Sequence, residues 1–269
     1  MAEVDADDGV VEVATERAVT TITLNSPANR NALSSVLVGR LSQALADAAA
    51  DQEVRAVVLT HAGGTFCAGA DLGEALRRGL SPEEATAEGA KGMVGLMRAM
   101  LAMPKPVIVV ADGHVRAGGF GLVGAADIAL VGPNATFALT EARLGLAPSI
   151  ISIALLPKMS ARSVGRYFLT GEKFDPATAE RIGLVTQAVA DSGELDGALH
   201  QVLEGIRKAS PQGLAASKAL TTAAILADFD ANAGARAAES AALFSSDEAR
   251  EGMTAFLSKG KPGWDTSQA

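Results

Sequence analysis

The sequence is poor in cysteine and in aromatic residues, and it lacks a long apolar run. Because Cys67 is its one cysteine, the chain has neither an internal disulfide framework nor a metal site built from several cysteines. Aromatic residues account for 4% of the 269 positions, which disfavours a surface that stacks nucleic-acid bases. No apolar stretch reaches the roughly 18 residues of a membrane-spanning helix, so no membrane association is expected.

Positive charge is also scarce. The formal net charge is -8 and the isoelectric point is about 5.0, so binding to nucleic acid is not expected. The first residues, MAEVDADDGV, are acidic and lack the basic and apolar regions of a secretory signal, which predicts a cytoplasmic protein. The 48% hydrophobic content and the length suit one large domain, or a core with an appendage.

Two stretches rich in small residues each follow an apolar run that indicates a buried strand. Gly63 to Leu72 follows RAVVLT, and His114 to Leu130 follows KPVIVVADG. Small residues leave backbone N–H groups accessible, and two such groups converging on a carbonyl oxygen form an oxyanion hole. Each donor of such a hole is worth about 3 kcal/mol of transition-state stabilisation. A third stretch, TEARLGLAP, follows about twenty residues later and carries Glu141.

The rest of the pattern indicates alternating strands and helices, followed by a helical tail. Residues 1–9 are expected to be disordered, and the alternating EVAT and VTTITLN segments predict a hairpin. Ser81 and Glu84 form the sequence signature of a capping box, which starts a helix that runs to about Met103. From about Glu194 to Lys259 the spacing predicts helix throughout.

Taken in order, these motifs resemble the crotonase superfamily, the enoyl-CoA hydratase and isomerase group. The resemblance spans about Val11 to Trp264 and rests on LNSPANRNALS, FCAGADL, AGGFGLVGAADIA, FALTEARLGLAP, YFLTGEKFDPATAERIGLV and AREGMTAFLSKGKPGW. It implies an α/β fold in which a spiral of repeated strand-strand-helix units over residues 10–193 binds acyl-CoA. It also implies that residues 194–269 form a helical oligomerisation region, with self-association as a trimer or a dimer of trimers.

The resemblance assigns roles to individual residues by motif position. The N–H groups of Ala70 and Gly118 would form the oxyanion hole, and Glu141 would be the acid and base. Burial among apolar neighbours is expected to raise the pKa of Glu141, which suits proton exchange with a carbon acid. Contacts to CoA are assigned to Ala28, Arg30, Ala68, Asp71, Leu72, Phe256 and Lys259. Phe256 and Lys259 match a family pair that reaches the CoA of a neighbouring subunit.

Cofactors and metals are not implied. The resemblance makes CoA a part of the substrate, so no separate cofactor is expected. The three histidines, His61, His114 and His200, have no spacing with acidic residues or with each other that indicates a metal site. Cys67 has no activating histidine beside it in the sequence, so we interpret it as a small buried residue.

Gly121 departs from the family pattern. A typical hydratase of this group has a second glutamate at that position, and two carboxylates together orient the water that adds. The breadth of the resemblance nevertheless favours an enoyl-CoA hydratase. Gly121 therefore also favours the alternative of an enoyl-CoA isomerase with Glu141 as the sole proton shuttle. The space that the missing glutamate side chain leaves at Gly121 could hold a water or a small anion. Ser149 also replaces a glycine that is usual in the family.

Two further alternatives follow from the same residues. Gly119, Gly121 and Gly124 match the G-x-G-x-x-G fingerprint of dinucleotide-binding folds. The helix that follows them is predicted to be only a few residues long, too short for a crossover of at least about ten residues. The other alternative is a catalytically inactive crotonase-like scaffold that binds acyl-CoA; Gly121 favours it, and Glu141 with its two N–H donors disfavours it.

Overall fold

The computed structural model describes residues 9–267, without the side chains of Leu72, Ala75, Leu76, Pro82 and Glu83. Residues 1–8, which belong to the segment predicted to be disordered, lie outside the described residues. Gly9 accepts a hydrogen bond from Asn25 Nδ2 at 3.1 Å. No helix in the described part of the chain is long and apolar enough to cross a membrane.

Within residues 9–267 nine strands form two sheets. In chain order they are β1 (Val11–Glu16), β2 (Val19–Leu24), β3 (Ala56–His61), β4 (Thr65–Cys67), β5 (Val107–Ala111), β6 (His114–Arg116), β7 (Ile128–Val131), β8 (Thr136–Ala138) and β9 (Gln187–Ala188). The larger sheet has the order β1-β2-β3-β5-β7-β9 and the smaller one has the order β4-β6-β8. Only the predicted hairpin β1-β2 is antiparallel among these pairs.

The helices of the described residues fall between the strands and after them. They are α1 (Ser35–Ala50), α2 (Leu72–Arg77), α3 (Pro82–Ala102), α4 (Gly118–Ala125), α5 (Ser149–Leu155), α6 (Ala161–Thr170), α7 (Pro176–Arg181), α8 (Leu195–Arg207), α9 (Pro211–Phe244) and α10 (Asp247–Leu257). The predicted capping box is confirmed, because Ser81 Oγ accepts from Glu84 N–H at 3.2 Å and Glu84 Oε2 accepts from Ser81 N–H at 2.9 Å. Three helices occupy the tail that the sequence predicts to be helical.

The strand-strand-helix unit repeats along the chain and confirms the predicted spiral. β3 and β4 precede α2 and α3, β5 and β6 precede α4, and β7 and β8 precede α5. The first strand of each pair joins the larger sheet and the second joins the smaller sheet. Because the strands are parallel, the turn between the two strands of each pair leaves the same edge of the larger sheet.

Side chains of the larger sheet alternate between two cores. Val57 and Leu59 point into the main core with α1, α3 and α4, whereas Val58 joins a second core with Leu203 of α8. Phe120 of α4 and Phe137 of β8 are fully buried and meet edge to face, with ring centroids 5.9 Å apart. This contact fixes the start of α4 against the strand that leads to Glu141.

Candidate active site

The first small-residue loop follows β4 and presents one free N–H group. Gly69 has φ +98°, a conformation that glycine adopts without strain, and its carbonyl accepts a hydrogen bond from Leu33 N–H at 2.7 Å. In a trans peptide the C=O and the following N–H point in opposite directions, so the N–H of Ala70 points away from Leu33. Among the described residues this N–H has no acceptor.

The second loop presents another free N–H at the start of α4. Ala117 has φ 42° and ψ -117°, an unusual conformation for a residue with a side chain. Its carbonyl accepts a hydrogen bond from Phe120 N–H at 2.9 Å, so the N–H of Gly118 points away from the helix. That N–H also lacks an acceptor in the described part of the chain.

The two loops are in direct contact. A Cβ atom at Gly69 would lie 2.7 Å from Ala117 Cβ and 3.9 Å from Gly118 N. A Cβ atom at Gly118 would lie 2.6 Å from Leu33 Cδ1. The structure therefore brings Ala70 and Gly118 onto loops that touch each other. That their two N–H groups bind one carbonyl oxygen stays a prediction.

Glu141 begins a 3-10 turn, Glu141–Leu144, and two residues separate it from the end of β8. Its Oε2 atom is buried and has no hydrogen-bond partner among the described residues. Burial raises the pKa of this carboxyl to about 7, while its hydrogen bond with its own backbone N–H lowers it. At neutral pH the group is therefore present in both protonation states, which suits a side chain that accepts and returns a proton.

The space beside Gly121 is filled by apolar side chains. A Cβ atom there would lie 2.7 Å from Met93 Cε, 2.8 Å from Ile151 Cγ2 and 2.9 Å from Met97 Sδ. These neighbours are apolar and offer no hydrogen-bond donor to the water or small anion that the sequence left open at this position. Gly121 instead lets α3 and α5 approach α4, and it has no chemical group of its own to contribute.

Several residues assigned to CoA binding come together near the first loop. Ala28 and Arg30 lie in an exposed turn, and Asn29 between them donates to Asp71 Oδ2 at 3.4 Å. Ala68 lies three residues before Asp71 on the adjoining loop. Arg77 reaches the same carboxylate at 3.6 Å. The side chain of Leu72, also assigned to this set, lies outside the described side chains.

Phe256 and Lys259 are at a different place in the chain. Phe256 is on the last turn of α10 with 62% of its surface exposed, and Lys259 follows with φ 55°. None of the contacts described for this chain joins them to the turn at Ala28 or to the loop at Asp71. Their assignment to the CoA of a neighbouring subunit stays a prediction.

The remaining candidates do not form a second site. Cys67 is buried and its pKa is raised to about 12 by burial, so it is a thiol and not a nucleophile at neutral pH. His61 Nε2 accepts a hydrogen bond from Asp112 N–H at 3.1 Å. The described residues contain no cluster of acidic, histidine or cysteine side chains that could hold a metal ion. The dinucleotide fold does not fit, because α4 has 8 residues and β6 and β7 belong to different sheets.

Sequence reasoning missed three features of this region. Asn31 is buried and hydrogen-bonded to the turn between β3 and β4, Met93 and Met97 pack against Gly121, and Ser149 Oγ is buried without a partner among the described residues. The signals were weak: an asparagine in a turn favours positive φ, and methionines on a helix suggest a core in general.

Known proteins resemble the chain along nearly its whole length. The family model described as enoyl-CoA hydratase/isomerase matches residues 14–267. Enoyl-CoA hydratase ACTT6 of Alternaria alternata is 31% identical over 254 residues, which cover 94% of this chain and 83% of the relative. Carnitinyl-CoA dehydratase of Citrobacter koseri is 31% identical over 251 residues, which cover 90% of this chain and 93% of the relative.

A solved structure agrees in fold and in sequence. The crystal structure of an enoyl-CoA hydratase from Mycobacterium avium is 57% identical with a TM-score of 0.89, and the match covers 96% of this chain and 99% of that one. The chain therefore belongs to the enoyl-CoA hydratase/isomerase family, whose crotonase-fold members are enzymes that act on acyl-CoA thioesters.

Proposed function

We propose that this protein is an enoyl-CoA hydratase that adds water to a 2-enoyl-CoA. The observation that carries the proposal is the buried carboxyl of Glu141, with an unpartnered Oε2 and a pKa of about 7. The free N–H groups of Ala70 and Gly118 support it, because both can donate to the thioester oxygen of a bound substrate.

In this mechanism the thioester oxygen receives two hydrogen bonds, one from Ala70 N–H and one from Gly118 N–H. Ionised Glu141 takes a proton from water while the water oxygen bonds to C3, and the C2–C3 π electrons move to form the enolate. The two N–H groups stabilise the enolate oxygen. The enolate then takes the proton from Glu141 at C2, so the carboxylate is regenerated and the 3-hydroxyacyl-CoA leaves.

A second candidate is an enoyl-CoA isomerase, and the packing at Gly121 favours it. Met93, Met97 and Ile151 occupy the space where a second carboxylate would orient water. A single carboxylate suffices for isomerisation, because Glu141 removes a proton from C2 of a 3-enoyl-CoA and returns it at C4. The same two N–H groups would hold the dienolate oxygen.

The absorbance of the conjugated thioester distinguishes the two reactions. Loss of the conjugated band with crotonyl-CoA supports hydration. Appearance of that band from a 3-enoyl-CoA, with crotonyl-CoA unchanged, replaces hydration by isomerisation. Glu141→Ala should lower turnover at least about a hundredfold in either case, while the Kd for CoA is kept. Absence of turnover with both substrates would contradict both reactions for these acyl groups and favour an unusual acyl group or the inactive acyl-CoA-binding scaffold.

We also propose that the protein is cytoplasmic and self-associates as a trimer or a dimer of trimers, with CoA lying along the turn at Ala28 and the loop at Asp71. Exposed apolar side chains on the helical tail support self-association: Leu220 is 81% exposed, Leu257 65% and Phe256 62%. Sedimentation equilibrium tests the assembly.

Lys259→Ala should weaken binding of CoA more than that of dephospho-CoA if this lysine contacts the 3′-phosphate.

A further inference from the structure

Asn31 lies in the loop between β2 and α1 and is fully buried, with φ 52°. Its side chain makes three hydrogen bonds to backbone groups. Oδ1 accepts from Ser26 N–H at 2.7 Å, and Nδ2 donates to Ala62 O at 3.0 Å and to Thr65 O at 2.7 Å. These partners fix the orientation of the amide, because exchanging its nitrogen and oxygen would bring oxygen against two carbonyl oxygens.

The two carbonyls that Asn31 binds belong to one turn. Ala62 and Thr65 flank the glycine pair between β3 and β4, and β4 leads directly into the loop that carries Ala70. The hydrogen bonds of Asn31 therefore hold the beginning of the segment that ends at the first N–H donor.

Leu33, two residues after Asn31, holds the other end of that segment. Its N–H donates to Gly69 O at 2.7 Å and so orients the Gly69–Ala70 peptide. Its Cδ1 atom lies 2.6 Å from the position that a Cβ atom at Gly118 would take. The short stretch Asn31–Leu33 thus contacts both loops that present the N–H donors.

We propose that Asn31 is a positioning residue of the oxyanion hole, acting through the turn at Ala62–Thr65 and through Leu33 on the direction of the Ala70 N–H. The proposal rests on the proposed function of Ala70 and Gly118 as donors to the thioester oxygen. Asn31 touches no reacting atom. Its side chain instead fixes the register between the β2–α1 loop and the β3–β4 turn, on which the angle of the Gly69–Ala70 peptide depends.

Asn31→Asp is the sharpest test, because it retains size and the acceptor for Ser26 N–H but replaces the NH2 donor by an oxygen. The readout is the red shift of an arylacryloyl-CoA chromophore on binding, which reports polarisation of its thioester carbonyl without turnover. The variant should lose at least half of the wild-type red shift, and kcat should fall tenfold to about a hundredfold, as expected for a misplaced donor. The Kd for CoA should stay within about twofold of the wild-type value.

Lowering the pH should partly restore the red shift of the Asn31→Asp variant, because a protonated aspartic acid regains one donor toward Ala62 or Thr65. Asn31→Gly, which keeps the positive φ without a side chain, gives a second measurement should the aspartate variant fold poorly. It should lose the red shift as well, and its loss should not depend on pH.

Leu203→Ala in the second core is the control for general destabilisation, since Leu203 is buried on the opposite face of the larger sheet. A full red shift in folded Asn31 variants, with kcat no lower than that of an equally destabilised Leu203→Ala protein, would overturn the proposal. Glu141→Gln should abolish turnover and keep the red shift. Wild-type protein that binds the chromophore without any red shift would contradict the oxyanion hole itself, and the role of Asn31 with it.

Discussion

Gly69 and Ala117 touch at the point where the two loops of the candidate active site meet. Ala117 Cβ lies 2.7 Å from the position that a Cβ atom on Gly69 would take, and Gly69 has φ +98°. Gly69 is therefore required to be glycine for two reasons. Its backbone conformation disfavours a side chain, and the neighbouring loop leaves no room for one. The positive φ of Ala117 adds strain to the same contact.

Gly69→Ala should therefore lower kcat by roughly a hundredfold or more, as removal of an oxyanion-hole donor does, because the loops must separate and the Ala70 N–H must move. Gly79→Ala is a matched control: Gly79 also has positive φ, at +64°, but no atom lies within 4 Å of its Cβ position. Steady-state kinetics should show a loss of kcat only in Gly69→Ala. Unfolding in urea should show a larger loss of stability in Gly69→Ala than in Gly79→Ala, because the contact with Ala117 adds to the cost of the backbone conformation. Equal kcat values in the two variants would contradict the idea that the contact between Gly69 and Ala117 positions the Ala70 N–H.

The sequence predicted the order of strands and helices, the two small-residue loops and Glu141, since these depend on local periodicity and on motif spacing. It could not predict the packing at Gly121, because Met93 and Met97 come from a helix more than twenty residues away in the chain. The contacts of Asn31 could not be predicted either, since two of its three partners are backbone carbonyls of a turn about thirty residues away in the chain. Tertiary contacts of this kind leave no periodic signal in the sequence.

Ser149 carries a hydroxyl whose removal should not harm the folded chain. Its Oγ is buried without a partner among the described residues, whereas Ser152 Oγ donates to Ser149 O at 2.6 Å. Ser149→Ala is expected to leave the free energy of unfolding unchanged or to raise it by up to about 1 kcal/mol, because an unsatisfied buried group is removed. Ser152→Ala should keep it or lower it. A clear loss of stability in Ser149→Ala, measured by urea unfolding, would show that the hydroxyl has a partner.

Gly121→Glu restores the second carboxylate of a typical hydratase, but the structure leaves no space for it. The new side chain would meet Met93, Met97 and Ile151, so we expect a loss of about 1 to 3 kcal/mol in unfolding free energy and no gain in hydration. Gly39→Glu on α1 is the control, because no atom lies within 4 Å of the Cβ position there.

Adding Met93→Ala to Gly121→Glu should recover part of that stability, since it removes one of the side chains in contact with the new group. Urea unfolding of the two single variants and the double variant measures the coupling between the positions. Additive effects would contradict the contact between Met93 and the side chain at position 121.

Glu141 should set the pH dependence of the reaction. In the proposed mechanism its ionised form is the base that accepts the proton, and burial raises its pKa to about 7. The value of kcat/KM for the wild-type protein should therefore rise with pH and level off above about pH 7. A profile that is flat between pH 5 and 9 in a full kinetic titration would contradict Glu141 as the base.

The same carboxyl should link stability to pH in the opposite direction. The folded chain holds the proton of Glu141 up to a pKa of about 7, whereas the unfolded value is 4.5, so the folded state binds more protons between these values. Stability from this group is fully present below pH 4.5 and is lost as the pH rises through 7, by about 3 kcal/mol in total if no other group compensates.

Glu141→Gln keeps the shape of the side chain and cannot ionise. The difference in unfolding free energy between the variant and the wild type should therefore grow from pH 5 to pH 8, with the variant becoming relatively more stable. A difference that stays constant over that range, measured by urea unfolding, would mean that the carboxyl of Glu141 is already ionised in the folded protein at pH 5.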